Sequence, residues 1–139
     1  MSPKSSELTR PLARYSHARR VGSLLFIAGQ GARDPGTDLE AGVTIDAGGK
    51  VTSYDITVQT RAVLANVERA LAPYGLARTE IVDVQVFLTD MGDFAAMNAV
   101  WNDFFAHGEP PTRTTVAVKT LPGKNFVEMK AIAAFPQKA

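Results

Sequence analysis

Short apolar runs alternate with turn-forming residues through the first part of the chain, which is the pattern of β-hairpins. The runs at 15–21 and 23–30 predict the two strands of a first hairpin. Residues 31–42 combine Gly, Pro and Asp in turn-forming order and predict a loop. Residues 43–53 predict a second hairpin that turns at 46–49, where glycines can adopt a positive φ.

The hydrophobic period then changes to that of a helix. Thr52 or Ser53 is predicted to cap this helix, and Asp55 lies where a negative charge favours the positive end of the helix dipole. The apolar positions recur at helical spacing and are Ile56, Val63, Leu64, Val67 and Leu71. The polar positions fall mostly on the other, solvated face and are Gln59, Asn66, Glu68 and Arg69. Pro73 and Gly75 are predicted to end the helix.

The second half of the chain predicts one more helix and three more strands. Asp90 or Asp93 is predicted to cap the helix and Gly108 to stop it. Its apolar stripe consists of Phe94, Met97, Val100, Trp101, Phe104 and Phe105. The predicted strands are 81–88, which we expect to be central in the sheet, 112–121 and 126–135.

This order of elements predicts an α+β fold, in which a mixed sheet carries two helices packed on one face. The length of 139 residues suits a single domain, with 1–13 as a loose N-terminal arm. The sheet face without helices must be solvated or buried against another subunit. Its apolar residues favour burial, so we expect an oligomer.

Composition and charge exclude several classes of protein. Fifteen basic and fourteen acidic side chains leave a formal charge of +1, so neither nucleic acid nor an anionic membrane is an expected partner. The chain has no cysteine, which excludes disulfides and thiolate nucleophiles and fits a cytoplasmic protein. Two histidines without a metal-binding motif predict no metal site, and no phosphate-binding or activated-serine motif is present.

Arg113 and Glu128 are the two charges that interrupt apolar strand segments. Alternation places Arg113 on the face of Thr115 and Glu128 on the face of Lys130, and the two could converge from neighbouring strands. One interpretation is a plain salt bridge or two solvated strand ends. The other is a cleft in which the guanidinium binds a substrate carboxylate and the glutamate orients or deprotonates water.

Asn98 and Tyr15 are open to the same pair of interpretations. Asn98 lies on the second predicted helix, where it is either a solvated amide or a ligand contact. Tyr15 opens the first predicted strand, and its phenol can hydrogen-bond a ligand or serve no such purpose.

Four stretches together resemble the RidA (YjgF) family of enamine and imine deaminases: YSHARRVGSLLFIAGQ, FLTDMGDFAAMNAVWNDFF, PTRTTVAV and LPGKNFVEMKAIAA. The resemblance extends from about Tyr15 to Phe135. Within the family, AGVTIDAGGKVTSYDITVQTRAVLANV resembles the 2-aminomuconate deaminases of aromatic-compound degradation.

The resemblance implies a chorismate-mutase-like fold, a homotrimer whose sheets face inward, active sites between adjacent subunits and no cofactor. It implies that Arg113 binds the substrate carboxylate and that Glu128 holds the attacking water. It also places Asn98, Tyr15 and Gly29 in the site.

Two positions differ from the pattern of the family. Ala28 stands where many deaminases of 2-aminoacrylate have serine, so the pocket lacks that hydroxyl. Thr115 stands where several members carry cysteine, and we count it among the substrate-binding positions.

The narrower resemblance implies hydrolysis of 2-aminomuconate to 4-oxalocrotonate and ammonia. A second carboxylate, at the far end of that substrate, should meet a cation. Arg33 is our preferred candidate because its loop follows the pocket-lining AGQ segment. The other candidates are Arg19, Arg61 and Lys130.

Two other functions remain open. One is a general deaminase of 2-iminobutanoate and 2-aminoacrylate, which would use Arg113 and Glu128 without a distal cation. The other is a non-catalytic trimer that binds keto acids.

Overall fold

The computed structural model describes Leu8 and residues 13–137 of the chain. Apart from Leu8 and Ala13, the predicted N-terminal arm at 1–13 lies outside the described residues. The strands and helices, in chain order, are β1 (Ala18–Val21), β2 (Leu24–Ile27), β3 (Val43–Ile45), β4 (Val51–Tyr54), α1 (Ile56–Leu71), β5 (Ile81–Leu88), α2 (Phe94–Phe104), β6 (Thr112–Ala117) and β7 (Val127–Ala134). That all 139 residues form one domain stays a prediction.

The main sheet has five strands in the order β1-β2-β7-β5-β6. Strands β5 and β6 are parallel because α2 crosses over between them, and the other neighbours are antiparallel. Strands β3 and β4 form a separate hairpin. The structure confirms the mixed α+β fold, both predicted hairpins and the interior position of 81–88.

The core lies on one face of the sheet, under both helices. Alternate residues of β7 are fully buried there, together with the apolar stripes of α1 and α2. Each fully buried aliphatic side chain contributes about 1.5–3 kcal/mol to folding. Two members of the α2 stripe are not fully buried, because Phe94 is 36% exposed at the start of the helix and Phe104 is only partly buried.

The predicted cap of α1 was wrong. Thr52 and Ser53 belong to β4, and the N-cap is Asp55. Its carboxylate accepts hydrogen bonds from the backbone N–H groups of Thr57 at 3.0 Å and Val58 at 3.2 Å. The strand continues to Tyr54, so the first residue free to cap the helix is the aspartate itself.

The predicted solvated face of α1 was also wrong at Gln59 and Asn66. Gln59 is fully buried and Asn66 is 4% exposed. Gln59 donates to the carbonyl of Lys124 at 2.9 Å and accepts from the N–H of Phe126 at 2.8 Å. Buried amides are tolerated when loop backbone satisfies them in this way.

The two candidate caps of α2 have different roles. Asp90 caps a short 3₁₀ turn at Met91–Asp93, where its side chain accepts from the N–H of Gly92. Asp93 precedes α2 but accepts from the Tyr54 hydroxyl at 2.7 Å. Burial, followed by this hydrogen bond, raises the pKa of Tyr54 to about 12. The contact ties the second hairpin to the start of α2.

In the described part of the chain, the other face of the main sheet carries no helix. It exposes large apolar side chains, which are Val21, Leu24, Phe26 and Val116. Exposed apolar patches of this kind mark interaction surfaces, and the patch is therefore consistent with the expected oligomer. The trimer stays a prediction. Within the described residues, no helix combines the length and apolarity that crossing a membrane requires.

Candidate active site

A pocket of about 920 Å³ opens on the helix-free face of the sheet, beside Glu128. Glu128 lies on β7 between the buried residues Val127 and Met129, so alternation turns its side chain to the open face. The other residues that line the pocket are Arg14, Tyr15, Ser16, Arg19, Phe26, Ala28, Gly29, Pro122 and Lys130. The structure thus places the predicted residues Tyr15, Gly29 and Glu128 around one pocket.

Gly29 allows the Glu128 carboxylate to approach the backbone. A Cβ at position 29 would lie 2.7 Å from Oε2 of Glu128, closer than real contacts allow. The neighbouring residue Gln30 pairs with Met129 through backbone hydrogen bonds of 2.8 and 3.0 Å. This bridge fixes the glycine beside the glutamate, so a larger residue at position 29 would force the Glu128 carboxylate to move.

The environment of Glu128 suits proton transfer. Burial raises the pKa of its carboxyl above the ordinary value. Across the described part of the chain, no hydrogen bond or ion pair occupies this carboxylate. A carboxyl with a raised pKa and uncommitted oxygens can accept a proton from water and return it near neutral pH.

Arg113 lies on the edge strand β6 and faces α2. Its Nη1 donates to Oδ1 of Asn98 at 2.8 Å, and its Cζ lies 4.8 Å from the Trp101 ring centroid and 5.4 Å from that of Phe94. Burial lowers the pKa of Arg113, although an arginine keeps its charge in proteins. Asn98 and the indole therefore hold a guanidinium whose remaining donors suit a carboxylate.

Thr115 shares this face of β6 with Arg113. Its Oγ1 is buried, and it finds no hydrogen-bond partner among the residues that the structure describes. A buried unsatisfied hydroxyl costs about 1–3 kcal/mol, so such an atom calls for an explanation.

Within one chain, Arg113 and Glu128 do not converge, contrary to the sequence-based expectation. They are not on neighbouring strands, because β5 lies between β6 and β7. Arg113 pairs with Val84 and shares its buried face, whereas Glu128 pairs with Phe87 and faces the open side. Two strand spacings and three residues separate their Cα atoms by about 14 Å.

Arg33 lies away from the pocket. Its Nη1 binds Oδ1 of Asp38 at 2.9 Å within the 31–42 loop. Asn66 holds the same loop by donating to the carbonyls of Gly31 and Arg33. Arg33, the preferred candidate for a distal cation, is therefore not among the pocket residues. Its loop directs the side chain to Asp38 of the same loop.

Arg14 is a pocket residue that sequence reasoning missed. It lies in a segment without periodicity, and only its proximity to Tyr15 could have pointed to it. Arg19 and Lys130, which were secondary candidates, do line the pocket, whereas Arg61 lies on α1 beside a different and smaller hollow. Among Leu8 and residues 13–137, no three His, Asp or Glu side chains are grouped to hold a metal ion.

Comparison with known proteins identifies relatives across nearly the whole chain. The family model described as Endoribonuclease L-PSP matches residues 6–135. A RutC family protein of Pyrococcus horikoshii is 38% identical over 124 residues, which cover 89% of each chain.

Solved structures show the same fold. E. coli TdcF with bound serine has a TM-score of 0.81 and 29% identity, covering 98% of this chain and 99% of that one. RidA from an Antarctic Psychrobacter has a TM-score of 0.80 and 26% identity, covering 97% and 99%. The chain belongs to the Endoribonuclease L-PSP family, of which RidA and YjgF are members.

Proposed function

We propose that this protein hydrolyses the imine tautomer of 2-aminomuconate, releasing ammonia and 4-oxalocrotonate, in a site shared between two copies of the chain. The observation that carries the proposal is the division of two reactive groups between the two faces of one sheet. Glu128 lies partly buried in the open pocket without a hydrogen-bond or ion-pair partner among the described residues, and Arg113 is held on the opposite face by Asn98. Neither half is sufficient for the reaction by itself.

A second subunit can supply the missing half. Phe26, one of the exposed apolar residues of the open face, lines the Glu128 pocket, and burial of this face against another chain would bring a partner to the pocket rim. Edge strand β6, which carries Arg113 and Thr115, is available to such a partner because one of its sides has no neighbouring strand. The arrangement suits a ring of identical subunits, and a homotrimer is our proposal for it.

The chemistry needs positioning and proton transfer. The enamine tautomerises to an imine, and Glu128 takes a proton from water while the water oxygen bonds to C2. The electron pair of the C=N bond moves to nitrogen, and Glu128 gives that nitrogen the proton it took from water, which yields a carbinolamine. Glu128 then takes the proton of the new hydroxyl and passes it to the amine, the C–N bond breaks, ammonia leaves and a C=O bond remains. General acid and base catalysis of this kind contributes typically a hundredfold to ten-thousandfold in rate.

Arg113 would bind the carboxylate next to C2. Each hydrogen bond between charged groups contributes about 1.5–3 kcal/mol, and a bidentate pair also fixes the orientation of the substrate. The orphan hydroxyl of Thr115, on the same face, gains a partner if the substrate enters there. Tyr15 supplies a phenol from the other half of the site.

A ligand found in a solved relative belongs to the same broad chemical class as the proposed substrate. The E. coli TdcF structure holds serine, a small molecule with a carboxylate and an amine. A general deaminase of 2-aminoacrylate or 2-iminobutanoate is therefore the second candidate. A cytoplasmic location and the absence of a cofactor stay predictions.

The test follows the loss of 2-aminomuconate absorbance together with ammonia release. Wild-type protein should turn over 2-aminomuconate faster than 2-aminoacrylate. Glu128→Gln should lower kcat by about a hundredfold or more because the proton acceptor is lost. Arg113→Ala should raise KM by roughly tenfold to a hundredfold.

The matched controls are Glu109→Gln and Arg61→Ala, which alter exposed charges away from the pocket. Both should keep wild-type rates. Faster turnover of 2-aminoacrylate would favour the general deaminase. Binding of a keto acid without any release of ammonia from either substrate would favour the hypothesis of a non-catalytic trimer that binds keto acids.

A further inference from the structure

Among the described residues, three cationic side chains line the pocket that holds Glu128. They are Arg14, Arg19 and Lys130, and within the described part of the chain Glu128 is the one carboxylate beside them. The formal charge of the whole chain is only +1, so this local excess does not follow from a generally basic surface. A pocket with three cations and one acid attracts an anion with more negative charge than a monocarboxylate carries.

The sheet places two of these cations on one face. Arg19 on β1 is paired with Phe26 on β2, and Phe26 is paired with Ile132 on β7. Lys130 lies two residues from Ile132, and therefore on the same face. Two strand spacings and two residues put the Cα atoms of Arg19 and Lys130 about 12 Å apart. Their long side chains can reach one group from opposite sides, above the ring of Phe26.

Neither Arg19 nor Lys130 forms an ion pair with an acidic side chain among the described residues. The ion pairs of the described residues join Arg33 to Asp38 and Arg78 to Glu68. Lys130 donates from Nζ to the carbonyl of Ile27 at 3.4 Å, which is longer than a strong hydrogen bond. The ammonium group thus lies over the pocket with donors to spare.

Lys130 and Glu128 are two residues apart on the same face of β7. A substrate whose reacting carbon lies at Glu128 would extend along the strand towards Lys130. A short monocarboxylate ends before it reaches that side chain. A six-carbon chain with a carboxylate at each end continues beyond the reacting carbon.

We infer that Arg19 and Lys130 bind the second carboxylate of a dicarboxylate enamine and thereby determine specificity for it. The inference rests on the proposed function, in which Arg113 of another copy binds the first carboxylate. Arg14 adds positive charge at the rim of the pocket. We therefore assign the binding of the distal carboxylate to Arg19 and Lys130 instead of Arg33, because these two residues line the pocket and Arg33 does not.

The test compares kcat/KM for 2-aminomuconate and for 2-aminoacrylate in wild-type protein and in Lys130→Met, Arg19→Gln and the double variant. Each single change should lower the ratio of the two kcat/KM values by about tenfold or more, and the double variant should lower it further. Arg61→Gln, which removes a cation far from the pocket, should leave the ratio unchanged. A ratio that stays within twofold of wild type in the double variant overturns the inference.

A binding measurement keeps the inference testable if no substrate is turned over. Calorimetry with adipate, an unreactive six-carbon dicarboxylate, is compared with hexanoate, which has one carboxylate. A preference for adipate that disappears in Lys130→Met and Arg19→Gln supports the inference even where the deaminase activity fails. Equal affinities for the two acids in wild-type protein reject the distal site and leave the deaminase proposal to its own assay.

Discussion

The two halves of the proposed site differ in how firmly their central charge is held. On the open face, the Glu128 carboxylate lies in a pocket, and among the described residues it forms no hydrogen bond or ion pair. On the helix-covered face, Arg113 is bound to Asn98 and lies close to Trp101. In the proposed reaction, the group that exchanges protons is thus uncommitted within the described residues, and the group that orients the substrate is fixed.

Burial acts on both halves with different consequences. It raises the pKa of Glu128, which brings proton exchange closer to neutral pH. It also lowers the pKa of Arg113, but the guanidinium stays charged because its intrinsic pKa is so high. The same desolvation therefore adjusts the chemistry of the glutamate and strengthens the electrostatic attraction of the arginine for an anion.

Mixing two impaired variants, assayed at a substrate concentration well below the wild-type KM, gives the largest expected effect. If each site takes Arg113 from one copy and Glu128 from another, Arg113→Ala and Glu128→Gln should complement each other. Random assembly of equal amounts after refolding should restore about a quarter of the wild-type activity. Ammonia release measures the recovery.

The control for complementation is the double variant mixed with either single variant. Neither mixture can assemble a complete site, so neither should exceed the low rate of the single variant it contains. Failure of the two single variants to complement, with oligomers shown to have exchanged subunits, contradicts the shared site.

Gly29→Ala should disturb the Glu128 half alone. The new Cβ would lie 2.7 Å from Oε2 and push the carboxylate aside. We expect kcat to fall on the order of tenfold to a hundredfold, because small displacements of a reacting group are costly. Gly48→Ala is the control, since a Cβ there meets nothing closer than 3.4 Å. Equal kinetics in both variants would show that the close approach has no catalytic role.

Asn98→Ala should loosen the Arg113 half with a smaller effect. It removes the hydrogen bond that orients the guanidinium, so KM should rise roughly twofold to tenfold with little change in kcat. Asn102→Ala changes an exposed amide on the same helix and serves as the control. A fall in kcat with constant KM would instead assign Asn98 to the chemical step.

The smallest effect is on stability as a function of pH. Because burial raises the pKa of Glu128 above its unfolded value, the native state binds more protons than the unfolded state between those two values. Stability from this group therefore falls as the pH rises through that window. Relative to the Tm of wild type, the Tm of Glu128→Gln should increase as the pH rises from about 4. Below about pH 4, the difference between the two Tm values should disappear. Parallel Tm curves would contradict a raised pKa.

Local patterns account for the elements that were predicted well. Apolar periodicity defined both helices, and turn residues separated the two hairpins. The errors arose where the competing interaction is distant in sequence. Gln59 and Asn66 were predicted to lie on the solvated face of α1, because a helical hydrophobicity pattern takes only their polarity into account. Their partners lie on loops that pack over α1 only in the folded chain.

The sequence by itself determined the α+β order of elements, the buried stripes of the helices and the two charges that interrupt apolar strands. Only the tertiary structure decided where those charges point. Strand alternation gives a residue's face relative to its own strand, but the order β7-β5-β6 relates the strands to one another. The full order β1-β2-β7-β5-β6 and the pairing registers put Arg113 and Glu128 on opposite faces, and they put Arg19 and Lys130 on the same face. Such relations depend on pairing between distant segments, which no local pattern encodes.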